Sequence, residues 1–280
     1  MTRVLLVLVA FVAGGCVVFE PPTATDQATQ PMASATPTSA APTVSPTVSP
    51  TVSPTASPTA SPTASPTQAV QPSATPTPTA APPISTKGAC GDDAYTLSGD
   101  HWDEPFEWYL SVKSLPSSLT LDEVRAVVQR SFDNITQARN DCGLPDRVGA
   151  EAIYIGTTSE VPCELSNEHN VVGFGRVPRY LGRDAIAYVC PFHRTDGQIF
   201  AADIVLSTKI SWAVSEATCK GRAELLEPTL THEVGHVFGL GHIGERNHGD
   251  LTMSTRSNGA CNDEESTLGL GDVLALEELY

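Results

Sequence analysis

The sequence predicts an α+β domain, an α/β sandwich in which a mixed sheet is backed by helices, spanning residues 87–280. Three observations predict it. Thr120-Leu121-Asp122-Glu123 is a capping box, in which a Thr at the N-cap and a Glu three residues on satisfy each other's backbone donors and open a helix. Short runs rich in Val, Ile, Phe and Tyr lie on both sides of that helix and have the length of strands. A second helical stretch, built around His232 and His236, follows the last of these runs.

The elements are expected in the following order. Phe106–Val112 alternates apolar and polar residues and is a first strand. After the capping box, Val124, Val127, Val128, Phe132 and Ile135 recur at helical spacing, so one face of that helix lies on a sheet. The helix is expected to end near Asn140–Gly143. Glu151–Gly156 is a second strand, Ala185–Phe192 a third and Gln198–Ser207 a fourth, with a Pro- and Gly-rich loop between the second and third. A sheet backed by one helix and followed by the His helix leaves a cleft between the sheet and the lower part of the domain.

Residues 1–15 carry one early positive charge, Arg3, and an apolar run Val4–Val12, then Ala13-Gly14-Gly15 before Cys16. This is expected to be a signal peptide, too short to remain as a spanning helix. Small residues ahead of a cysteine resemble a bacterial lipobox, which makes Cys16 a candidate lipid anchor. Residues 16–86 comprise that cysteine and a Thr/Ser/Pro-rich linker with a four-residue repeat, Thr43-Val44-Ser45-Pro46, later Thr-Ala-Ser-Pro. Proline at every fourth place removes helix and sheet donors, and few large apolar residues offset the entropy of ordering, so a disordered stalk is expected. At about 3.1 Å per residue its reach is on the order of 200 Å. The expected location is extracellular, lipid-anchored to the cell membrane, or secreted if Cys16 is not lipidated.

The formal net charge is −16, almost all of it within residues 87–280, which argues against a nucleic-acid partner. With Cys16 set aside, six of the seven cysteines remain: Cys90, Cys142, Cys163, Cys190, Cys219 and Cys261. An even number in an oxidising compartment suggests three disulfides. Fifteen pairings are possible. The favoured one joins Cys90 to Cys142, Cys163 to Cys190 and Cys219 to Cys261, the last clamping the segments before and after the His motif.

That motif, His232-Glu233-Val234-Gly235-His236-Val237-Phe238-Gly239-Leu240-Gly241-His242, carries the chemistry. Residues four apart share a helix face, so His232 and His236 can grip one ion. A third ligand on the same rod would point away. Gly239, able to adopt the left-handed conformation, is expected to end the helix and bring His242 back. Three imidazoles suit Zn2+ and leave one coordination position for water, the mark of a catalytic site. Glu233 is the candidate general base.

With these residues on the page, residues 106–280 resemble a matrixin-type metzincin, a family of zinc endopeptidases whose signature has this His spacing. The resemblance implies that Met253, within Leu251-Thr252-Met253, forms a Met-turn beneath the metal. It also implies that Leu268–Tyr280 is a C-terminal helix and that Ala202–Leu206 lines the substrate cleft. An edge strand around Ile199–Leu206 is expected to add an extended substrate as one more strand. Met253 lies eleven residues beyond His242, further than in compact animal matrixins, and Ser254-Thr255-Arg256 replaces their usual Tyr-Pro. Cys142-Gly143-Leu144-Pro145-Asp146 is similar to the cysteine switch of matrixin propeptides, but its place after the first helix makes Cys142 a disulfide cysteine. The family often binds Ca2+, yet no specific motif supports it here, and Asp263-Glu264-Glu265 is read as solvated surface. His169 and His193 are expected to be exposed loop residues.

The implied function is hydrolysis of peptide bonds in extracellular proteins by a monomer, with a protein or peptide as substrate. The alternatives are a cell-surface binding module that keeps zinc for shape, and a hydrolase of wall peptides.

Overall fold

In the computed structural model, which describes residues 87–164, 169–257 and 259–280, five strands form one mixed sheet. They are β1 (Phe106–Ser111), β2 (Ala152–Thr158), β3 (Asn170–Gly175), β4 (Ala187–His193) and β5 (Ile199–Ser207), in the spatial order β2-β1-β3-β5-β4. All neighbours are parallel except β4, which pairs antiparallel to β5. The expected signal peptide, the Cys16 anchor and the stalk lie outside the described residues.

Strand alternation and helical periodicity meet in one core. Phe106, Trp108 and Leu110 of β1, Val172 and Phe174 of β3, and Ala202, Ile204 and Leu206 of β5 are buried on the same face of the sheet. Against them lies α1 (Leu121–Thr136), whose Val124, Val127, Val128, Phe132 and Ile135 are all buried, as the spacing predicts. The Trp108 and Phe132 rings stack with centroids 4.9 Å apart. Thr120 caps α1 through the reciprocal box with Glu123. The helix stops at Thr136 and not near Asn140. Ala138 takes a positive φ of 43° there, and Asn140 closes the following turn by accepting from the backbone of Cys142 and Leu144.

Beside α1 on the same face packs α2 (Leu226–Val237), which carries the first two histidines. The two helices are joined by polar groups as well as apolar ones. Asn134 of α1 donates to Glu227, to Thr231 Oγ1 and to the Ser266 carbonyl, and Arg130 pairs with Glu227 at 2.9 Å. Ahead of α2, the short strands β6 (Trp212–Ala213) and β7 (Glu224–Leu225) pair in parallel. Beyond it come the short α3 (Glu245–His248) and α4 (Leu270–Leu279).

Three disulfides form, Cys90–Cys142, Cys163–Cys190 and Cys219–Cys261, which is the favoured pairing. Among the described residues no helix is long and apolar enough to cross a membrane.

The structure corrects four further expectations. The loop expected between the second and third strands contains β3. Its Gly173 and Gly175 suggest a turn in sequence, but they admit close neighbours: a Cβ on Gly173 would lie 2.7 Å from Ser111 Cβ, and one on Gly175 3.0 Å from Val205. The edge strands are β2 and β4, and the expected edge, Ile199–Leu206, is interior, paired on both sides. The near-continuous burial of β5 and the Pro191 within β4 are the physical signs, since proline cannot donate to a ladder and belongs at an edge. His193 lies at the end of β4, half-buried against Asp100, and not in an exposed loop. Glu265 is buried, not solvated, because the Glu265–Ser266 stretch passes under Asn134 and Thr231.

Candidate metal centre

α2 is a helix buried on almost every side, and its ends are built by different means. Its N-cap, Leu225, has no capping side chain, and Pro228 in the first turn occupies a position whose N–H would have no helical partner. Its C-terminus is a Schellman motif. Leu240 N donates to Gly235 O at 2.9 Å and Gly239 N donates to His236 O at 3.1 Å. Gly239 has φ +88°, the left-handed conformation the sequence requires of it, and the chain turns back there.

This geometry brings together the three predicted ligands. The Nε2 atoms of His232, His236 and His242 form a triangle with sides of 3.0 to 3.1 Å. They form the one such group of potential metal ligands among the described residues. The backbone fixes which nitrogen faces inward. His232 Nδ1 lies 2.7 Å from the Thr252 carbonyl and His236 Nδ1 2.8 Å from the Leu240 carbonyl. A carbonyl only accepts, so both Nδ1 atoms carry the proton and both Nε2 atoms present a lone pair. Burial and mutual repulsion favour the neutral rings: His232 is lowered to about 4, first by burial and then by His242, and His236 and His242 are lowered as well, chiefly by burial.

Three lone pairs converging on one point repel one another unless a cation lies between them. Zinc–nitrogen bonds of about 2.0–2.1 Å at tetrahedral angles place ligand nitrogens about 3.3 Å apart, within a few tenths of an ångström of this triangle. The donor set, its protonation state and the carbonyl partners of the rings therefore fit a divalent metal bound by three imidazoles.

Glu233 adjoins the first ligand and is 7% exposed. Burial raises its carboxyl to about 8, so without a nearby cation it holds a proton at neutral pH. Among the described residues no protein donor is bonded to it.

Met253 is 3% exposed, lies within the main core and packs against Gly235 of α2. The turn Leu251–Ser254 is closed by Ser254 N donating to Leu251 O at 3.0 Å. Gly235 makes room for the Met253 side chain, because a Cβ there would collide with its Sδ.

One residue that organises the site was not singled out from sequence. Asp272, in the first turn of α4, accepts from Thr252 N, Met253 N and Gly269 N at 3.0, 3.2 and 3.0 Å. Burial raises it to about 6 in spite of these donors. It holds the segment whose Thr252 carbonyl orients His232. The available signal was an acid at the third position of a helix opened by Gly269, which reads as an ordinary cap.

The other histidines stand apart from the triangle. His169 pairs with Glu160 at 2.9 Å, His193 with Asp100 at 2.8 Å, His248 with Asp92 at 2.8 Å, and His101 with Asp103 at 3.4 Å. Cys142 is tied to Cys90 and is no metal ligand. Comparison of the chain with models of known protein families gives no match, and comparison with curated proteins gives none either.

Proposed function

We propose that the chain is a zinc-dependent endopeptidase of the matrixin-type metzincin kind, exported and tethered at Cys16, acting on extracellular proteins. The observation that carries this reading is the convergence of three neutral imidazoles, the first of them followed in the helix by a buried carboxyl, Glu233, with no partner among the described residues. A purely structural zinc site would close on four protein ligands, and among the described residues three converge.

His232, His236 and His242 would hold the ion. Zinc bound there supplies a water of lowered pKa and polarises a carbonyl oxygen. Glu233 accepts the proton of the attacking water and later delivers it to the departing amine. Its burial raises its proton affinity, and a neighbouring cation lowers it, so the two effects together bring the group towards the working range of a base at neutral pH. Met253 and Asp272 keep the floor apolar and the His232 ring in place.

β4 supports an extended substrate. It is the antiparallel edge of the sheet, it packs against α2, and an edge strand offers free backbone groups to an added peptide. The disulfides support export, since such bonds persist in oxidising compartments. The small residues before Cys16 support the anchor.

The decisive experiment is digestion of casein or gelatin by the purified protein, with and without a chelator. Chelator-sensitive cleavage, restored by zinc, is the expected result. Full binding of zinc with no cleavage of any protein or peptide would leave a non-catalytic zinc module and overturn the proposal.

A further inference from the structure

His242 differs from the other two histidines in how it is held. The rings of His232 and His236 sit on α2 and are fixed by carbonyls, whereas among the described residues nothing bonds to His242 Nδ1. Its position must come through its backbone. On one side Ile243 N donates to Met253 O at 2.9 Å. On the other side lies a segment outside the sheet and helices, residues 92–102.

This segment runs antiparallel along the turn after α2. Ser98 N donates to Gly239 O and Gly241 N donates to Thr96 O, both at 2.8 Å, with Leu97 opposite Leu240. Thr96 Oγ1 donates to the His242 carbonyl at 2.8 Å. The segment is itself tied down: Cys90–Cys142 precedes it, His248 pairs with Asp92, Tyr95 donates to Glu278 at 2.6 Å, and His193 pairs with Asp100.

Gly241 supplies an independent observation. The spacing of the ligands asks nothing of this position, and its backbone has no positive φ. Yet a Cβ there would lie 2.6 Å from Thr96 Oγ1 and 3.3 Å from Thr96 Cβ. Beside the Asp100 carbonyl at Gly239, this glycine is a second place where the segment presses on the ligand turn, and the one next to His242.

We propose that residues 92–102 form a positioning strap for the third metal ligand, with Thr96 against Gly241 as its contact next to that ligand, so that the affinity and geometry of the centre are set partly from outside the His motif. This rests on the reading of the three histidines as metal ligands. Thr96 and Gly241 touch no reacting atom and act through His242.

The test uses the full chain, with zinc affinity measured by competition against a chromophoric chelator and coordination geometry read from the visible spectrum of the cobalt(II) form. Gly241→Ala should weaken zinc binding roughly tenfold and change the cobalt spectrum, as loss of a supporting contact does at other metal sites. In a Thr96→Gly background, where both colliding atoms are gone, the same Gly241→Ala change should alter affinity by less than about twofold. Thr96→Val, which keeps shape and removes only the hydroxyl, should weaken zinc binding a few-fold with the melting profile unchanged. Wild-type affinity and spectrum in Gly241→Ala, or a loss that Thr96→Gly does not absorb, would overturn the strap. A wild-type chain that binds no zinc through its three histidines would overturn the metal reading itself, before any variant is needed.

Discussion

The residue scale is where the proposed chemistry is most exposed to test. Replacing Glu233 by Gln keeps size and removes proton exchange, so Glu233→Gln should retain zinc with cleavage reduced by at least about 100-fold. Parallel measurement of bound metal and peptide hydrolysis checks this, and substantial residual cleavage would remove Glu233 from the mechanism. Asp272 makes a different prediction, on stability. Its folded-state carboxyl is raised to about 6 by burial, above its ordinary value of 3.8. Between these values the folded chain holds a proton that the unfolded chain releases, so this group's contribution to stability falls as pH rises from about 4 to about 6. Asp272→Asn abolishes that titration and leaves one backbone donor facing an amide. The stability gap between wild type and variant should therefore be widest at about pH 4 and narrow towards pH 7. Denaturant melts at several pH values would show it, and a gap constant across that window would contradict it.

At the scale of elements, the end of α2 decides whether three ligands can converge. Gly239 has a φ of +88°, and a Cβ there would also collide with the Asp100 backbone carbonyl. Gly239→Ala should accordingly destabilise the chain by about 1–3 kcal/mol, combining left-handed strain with a backbone clash. Equilibrium unfolding of the metal-free protein measures this, and an unchanged midpoint would mean the turn adapts. The His ligands, Gly239 and the first-turn capping box were legible because each is a local rule with fixed offsets. β3 was not, because Gly173 and Gly175 look like turn residues until Ser111 and Val205 are seen against them. The same holds for Asp272, whose partners Thr252 and Met253 lie about five turns of helix-equivalent sequence away and are joined to it only by folding.

For the whole molecule, the disulfides are the largest covalent constraint. Cys219–Cys261 spans 42 residues and encloses α2, the histidine triangle and the Met253 turn. Removing it as Cys219→Ala with Cys261→Ala should lower stability by roughly 2–4 kcal/mol, mainly by freeing the unfolded chain. Urea melts of wild type and the double variant check this, and equal midpoints would show that packing around Ala223 and Leu225 is enough.

By itself the sequence determined which residues can meet a metal, where the two main helices run, that the cysteines number enough for three bridges, and that the chain before Lys87 has the composition of a stalk. These follow from periodicity, spacing and composition, which are properties of neighbours along the chain. Only the tertiary structure decided which strands are the edges, which carbonyls orient His232 and His236, and which segment supports His242. Sheet order and second-layer hydrogen bonds depend on residues far apart in sequence. Backbone carbonyls such as those of Thr252 and Leu240 carry no side-chain signature, and so no reading of residue types could have singled them out.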